Sequence, residues 1–282
     1  MKKHTIIILL CLSIAGCSSS FVYRNIDWLV HWYLDDYIEL NAKQEEQFDQ
    51  AMARWLKWHQ KQELDAYVEQ LEDIKSVALS RAVDQQIIEA HQERLTQHWH
   101  RVRAFAVPDL VAIALTLEDE QITYLFAQLN RENRERAEEI AENNEQSKQQ
   151  RDKKRLKRAR RFAEEWLGDL SVSQVNMIQT LLVDRLSDNS AQWLHYQEDY
   201  QNALRLAFAT RTQNPEFAST LSELLLAPEQ YRSTELVQAH QQNRSIFADF
   251  LLQFAPSFSD EQIAHLVAEI EQWQQDILAL KK

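Results

Sequence analysis

Three carboxylates, Asp35, Asp36 and Glu39, fall within five residues. Gathered in one pocket, such a group can divide acid and base roles, because neighbouring like charges push proton affinities apart. The same residues also suit a solvated helix edge paired with Arg or Lys of another helix. The nine histidines show no metal-site spacing. His98 and His100 fall on different faces of a helix. Glu261 and His265 stand one turn apart, but a zinc site needs three or four converging ligands. No Glu-x-x-His pair of the di-iron bundle type occurs. His59, His91 and His240 read instead as interfacial, hydrogen-bonded helix residues. With only Gly16 and Gly168 in 282 residues, a glycine-rich phosphate loop and a glycine-flanked serine elbow are excluded. The expectation is a chain with no metal and no cofactor.

The densest chemistry is charge. From Glu118 to Glu145 there are nine acids and three arginines; from Lys148 to Arg161, nine bases stand against one acid, Asp152. No apolar residue occurs between Ala141 and Leu156, so that stretch must stay in water. Lys153, Lys154, Arg155, Lys157, Arg158, Arg160 and Arg161 form a candidate contact surface. Its partners would be phospholipid headgroups, lipopolysaccharide phosphates or an acidic protein face. Neutralisation by the preceding acidic arm is the alternative. Two geometries fit residues 118–167. One long helix would place acid and base as the macrodipole prefers. A helical hairpin turning near Ser147, with Asn143-Asn144 as a turn signal, would set the two arms side by side.

These groups need elements to position them. Two glycines and four prolines largely exclude sheets with tight hairpins, and apolar residues recur at helical spacing almost throughout. Residues 21–39 carry Trp28, Trp32, Tyr33 and Tyr37, either as a core face or as a membrane-proximal aromatic belt. Residues 42–80 form a second helix, and Asp84 caps a third. Pro108 marks a new start. Residues 172–210 read as one helical stretch from Val175 to Leu204, Pro215 and Pro228 punctuate two further starts, and Pro256 precedes the last helix, with Ile263, Ile270 and Ile277 on its face. The fold class is all-α, an elongated multi-helix bundle with a long charged helix or helical hairpin in its middle.

One local pattern occurs four times: an apolar residue, a capping residue, two variable positions, then Gln. The copies are Leu40–Gln44, Leu117–Gln121, Leu170–Gln174 and Phe258–Gln262. It predicts capping boxes, in which the N-cap side chain takes one orphan N–H and Gln reaches back to the N-cap N–H. Spacings of 77, 53 and 88 residues exclude a solenoid.

Met1–Gly16 has the form of an export signal, with Lys2 and Lys3 before an apolar run from Ile6 to Leu12 that is too short to span a bilayer. Ile14-Ala15-Gly16-Cys17 resembles a bacterial lipobox. The resemblance implies diacylglyceryl transfer to Cys17, cleavage before it, and acylation of its amine. Cys11 leaves with residues 1–16, so the mature chain has neither a free thiol nor a disulfide. Residues 17–20 are a short lipidated tether and residues 21–282 the helical domain. Ser18 after Cys17, rather than Asp, resembles the sorting signal for the outer membrane. Loss of Lys2 and Lys3 takes the formal charge from −12 to −14, which argues against nucleic acid as a partner.

From Cys17 to Leu71 the chain is similar to a family of uncharacterised proteobacterial lipoproteins, a domain of unknown function. Asp27-Trp28, Trp32–Tyr37, Leu40…Gln44, Trp58-His59, Glu63-Leu64 and Tyr67 carry that resemblance. Asn41-Ala42-Lys43-Gln44 departs from a Thr-Pro-Glu-Gln start, which affects only the cap. The resemblance implies an all-helical outer-membrane lipoprotein and no activity. The four helix starts also resemble the Leu-Thr-x-x-Gln motifs of small helical periplasmic chaperones. Three functions are therefore expected in order: a lipid-anchored protein on the periplasmic face of the outer membrane with a non-enzymatic binding or scaffolding role; a holdase for unfolded envelope proteins; and an enzyme with its carboxylates at Asp35, Asp36 and Glu39.

Overall fold

Local capping fixes where most helices begin. The side chains of Asn41, Asp84, Ser147, Ser171, Ser233 and Ser259 each accept a main-chain N–H of the following turn. The computed structural model describes Tyr23 and residues 25–281. The export signal, Cys17 and the tether lie outside the described residues. Within them are ten α-helices and no strand: α1 (Ile26–Leu34), α2 (Ala42–Ser80), α3 (Gln85–Ala114), α4 (Asp119–Glu145), α5 (Lys148–Leu167), α6 (Val172–Met177), α7 (Ser190–Ala209), α8 (Phe217–Leu226), α9 (Thr234–Phe254) and α10 (Asp260–Ala279). The all-α bundle expected from composition is the observed architecture. At 1.5 Å per residue, the 39 residues of α2 span about 58 Å and set its long dimension.

α2 packs against α3 and α10. The C-terminal helix runs back along α2, with Gln60 Nε2 donating to the Leu280 carbonyl at 3.0 Å and Gln274 Nε2 to the Val68 carbonyl at 3.2 Å. α4 lies antiparallel to α7, Phe126 meeting Phe208 and Asn133 donating to Gln201. Three apolar clusters hold the elements together. Val107, Val111, Phe126, Phe208 and Leu221 join α3, α4, α7 and α8. Leu167, Ile178, Val183, Phe250 and Phe254 join α5 to α9 through a π-helical turn at Ile178–Val183. Phe48, Ala51, Met52 and Ile113 sit under Val30 and Leu34 of α1.

The structure corrects two expectations. Pro108 starts nothing: α3 runs through it to Ala114. Val107 and Val111 are both buried on either side of the proline, and that burial outweighs one missing N–H. Residues 172–210 are not one helix. The π turn ends α6, and Asp188 Oδ1 takes the Ser190 N–H at 3.1 Å, holding a non-helical link before α7.

The four Gln starts are helix starts, and they do more than cap. Gln44 Oε1 accepts from Asn41 N, while its Nε2 donates to Gln121 Oε1 and to the Thr116 carbonyl; Gln121 returns both bonds, to Gln44 Oε1 and to the Glu39 carbonyl. Gln174 and Gln262 repeat the arrangement with the carbonyls of Ser257 and Asp169. Each pair ties two helix N-termini into a knot of side-chain amides. Gly168 makes the second knot reachable: its φ of 72° is open to glycine and strained for other residues.

A half-buried clamp fixes α3 to the 3-10 turn Pro228–Tyr231. Arg103 donates from both terminal nitrogens to Glu229, at 2.5 and 2.8 Å, and to the Leu226 carbonyl at 2.8 Å. The Arg103 hydrogen bonds hold the Glu229 carboxyl at about 2. A depressed folded value means that this contribution is complete above about 4.5, the ordinary value, and is lost as pH falls from there towards 2. Melting temperature should therefore drop across that window, and Arg103→Ala should flatten the drop; equal slopes in both proteins would show that the clamp carries none of the acid sensitivity.

Candidate functional site: a basic cleft at the helix break

The charged arm turns at Gln146-Ser147. Ser147 Oγ accepts from Gln150 N at 3.2 Å, and Gln150 Oε1 accepts from Ser147 N at 3.0 Å. Basic side chains then close the acidic helix. Arg151 donates to the Gln146 carbonyl at 2.5 Å and Lys154 to Gln146 Oε1 at 2.8 Å, placing cations on the negative end of α4. Beyond the turn the arms part: α4 follows α7, whereas α5 lays Leu156, Ala159 and Ala163 on the cluster around the π turn. Among the described residues no ion pair joins α4 to α5. Acids and bases pair within each helix instead, as in Arg136–Glu139 and Arg160–Glu164.

The parting leaves a cleft of about 930 Å³ between α4, α5 and the link before α7. Arg151, Lys154, Arg155 and Arg158, at helical i, i+3, i+4, i+7 spacing, come to it from α5 with Lys157. Arg136 reaches it from α4, and Ile140, Leu182, Val183 and Leu186 supply its apolar surface. Six cationic side chains thus face one carboxylate, Asp188. The Ser190 hydroxyl holds the Asp188 proton affinity down, with Arg155 at 3.0 Å adding to it. Lys157 and Arg158 have no carboxylate within ion-pair distance among the described residues. On a chain of formal charge −12 the cleft is an island of positive potential.

A model of a family of unknown function, DUF6279, matches residues 36–237. The chain belongs to that family. No curated protein and no solved structure matches it. The DUF6279 segment takes in every charged residue of the cleft and the Gln44–Gln121 knot, but ends before Gln262 and most of α9.

The basic surface read from the sequence is divided in this DUF6279 chain. Lys154, Arg155, Lys157 and Arg158 meet in the cleft. Lys153 lies on the other side of α5 beside Lys148 and Gln179, Arg160 pairs with Glu164, and Arg161 is exposed. Arg136 and Arg151 were not singled out; Arg151 stands one turn before Lys154 and Arg155, a spacing that marks it, whereas nothing local marks Arg136. The aromatics after residue 26 divide too. Trp28 is 63% exposed and stacks on Trp32 at 6.4 Å, and Tyr33 is exposed. Tyr37 is buried and donates to Glu132, its proton affinity raised by burial and by that carboxylate. Asp35 and Glu39 are exposed and Asp36 is half-buried on the turn after α1; none of them lines the basic cleft. Among the described residues no group of three or more His, Cys, Asp or Glu is placed to hold a metal ion. His59 bonds Tyr67 and Tyr23, and His91 offers its carbonyl to Gln70.

Proposed function

We propose that the protein is a non-enzymatic binding protein, held by lipid at Cys17 on the periplasmic face of the outer membrane, that docks an acidic polypeptide segment in the basic cleft. The observation that carries the reading is a cleft of about 930 Å³ in which Lys157 and Arg158 are left without acidic partners. Its apolar surface and the amides of Asn144 and Asn189 favour a polypeptide over a bare phosphate: an amide both donates and accepts, as a peptide backbone does, whereas a phosphate chiefly accepts. The export signal and the lipobox-like Ile14–Cys17 support the address.

Binding of a fluorescent oligoglutamate peptide, read by anisotropy, tests the cleft. The Lys157→Glu, Arg158→Glu double variant should bind about tenfold more weakly, a change of ~1.4 kcal/mol, and salt should weaken the wild type more than the variant. Equal affinities, or vesicles of anionic phospholipid binding where the peptide does not, would overturn the assignment. Labelled palmitate should enter the wild-type chain and not Cys17→Ser; entry into both would remove the anchor.

A further inference from the structure

A second, half-open cavity lies elsewhere, lined from α2, α3, α9 and α10. Its volume is about 440 Å³, within the range of about 300–1,000 Å³ usual for small-ligand sites. Leu71, Ile74, Ile88, Leu251 and Ile277 give it an aliphatic wall. The polar side chains that reach it are committed to each other. Gln70 Oε1 accepts from His98 Nε2 at 2.8 Å, Gln70 Nε2 donates to the His91 carbonyl at 3.1 Å, and Tyr67 bonds His59 at 3.2 Å. A ligand body in this space therefore meets no polar group in need of a partner, which selects hydrocarbon.

Leu95 is 63% exposed and Phe247 39%, although both line the cavity. Gln92, which also lines the cavity, accepts from Arg244 Nε at 3.1 Å, a bond that ties α9 to α3 and holds the exposed guanidinium beside the cavity. Among the described residues no carboxylate is within ion-pair distance of Arg244, so its terminal nitrogens remain available to an anion. An aliphatic cavity with an unneutralised arginine held beside it by one of its lining residues is complementary to one class of molecule: a single hydrocarbon chain ending in a carboxylate. We infer that this cavity binds a long-chain fatty acid, its chain among Leu71, Ile74 and Ile277 and its carboxylate on Arg244. The inference does not rest on the basic cleft. Arg244, Phe247, Leu251 and Ile277 all lie beyond the residues matched by the family, so the site need not be shared across it.

The test uses the full chain carrying Cys17→Ser, with 11-(dansylamino)undecanoic acid and its methyl ester as fluorescent probes. The acid should give saturable, blue-shifted emission at one probe per chain, and oleate should displace it. Arg244→Gln should weaken the acid about tenfold and leave the ester unchanged. Leu95→Glu, at a position too exposed to unfold the protein, should weaken the acid and not the ester. Absence of saturable binding, equal binding of acid and ester with no effect of Arg244→Gln, or displacement by an apolar peptide but not by oleate would each overturn the inference.

Discussion

Glu63→Ala should destabilise the protein by about 3–5 kcal/mol, the range for breaking a buried ion pair from one side. Glu63 is 1% exposed in the middle of α2. Its Oε1 accepts from Arg101 Nε at 2.5 Å, and its Oε2 accepts from Arg101 Nη2 and faces His98 Nδ1, each at 3.0 Å. Burial alone would raise its proton affinity; the hydrogen bonds of Arg101 and then His98 outweigh burial and hold it below the ordinary carboxylate range. Removal leaves the buried His98 ring without its acidic partner and opens a void between α2 and α3. Arg101 is partly exposed and regains water, so the cost should fall towards the low end of that range. Glu63→Gln keeps the shape and one acceptor for Arg101, and should cost about half as much. Because the folded proton affinity is depressed, the carboxylate's contribution is present above pH ~4.5 and fades below it. Urea unfolding at pH 7 and pH 4 measures both effects. A loss under about 1 kcal/mol for the alanine variant at pH 7 would show that the network is not holding α2 to α3.

How much of this was legible in the sequence follows from the range of the forces involved. Helix starts are set by groups three residues apart, so Asn41, Asp84, Ser171 and Ser259 announce themselves. Pro108 misleads because the decision there is tertiary: Val107 and Val111 bury against α4, α7 and α8, and that burial overrides a local breaker. The link at 184–189 is hidden for a related reason. The apolar period continues across it, while the π turn shifts the register and Asn243 from α9 brackets Ser187. The basic face of α5 can be read from its spacing, but that α4 turns away to α7 and leaves Lys157 and Arg158 without a carboxylate depends on contacts such as Asn133–Gln201, 68 residues apart. Glu63 and His98 give no sign of each other at a separation of 35 residues. The cavity at Arg244 is further from view, because its walls come from four helices and gain meaning only when α10 returns to α2.

Gln174→Ala and Gln262→Ala should each destabilise by about 2–4 kcal/mol, and together by less than their sum. Gln174 is 3% exposed and Gln262 7%. Alanine at 174 takes the acceptor from the Ser171 N–H, at 2.9 Å, and the donor from the Ser257 carbonyl, at 3.1 Å. It also breaks both bonds to the Gln262 amide, 2.7 and 3.0 Å long. Alanine at 262 does the mirror image to Ser259 and Asp169. Once either amide is gone, the survivor has lost its buried partner, so removing it too costs only its own cap and carbonyl. The coupling between the two substitutions should therefore be about 1–2 kcal/mol. A plain pair of capping boxes gives a different result, since two caps 88 residues apart in sequence that share no bond would add. Gln44 and Gln121 provide the internal comparison. Gln121 is more exposed than Gln262, so water can replace part of what is lost and the coupling there should be smaller. Additivity in the Gln174–Gln262 cycle would reduce all four motifs to separate helix starts. Coupling would show that the second knot joins the loop leading out of basic α5 to the loop between α9 and α10, and so links the scaffold of the cleft to that of the fatty-acid cavity.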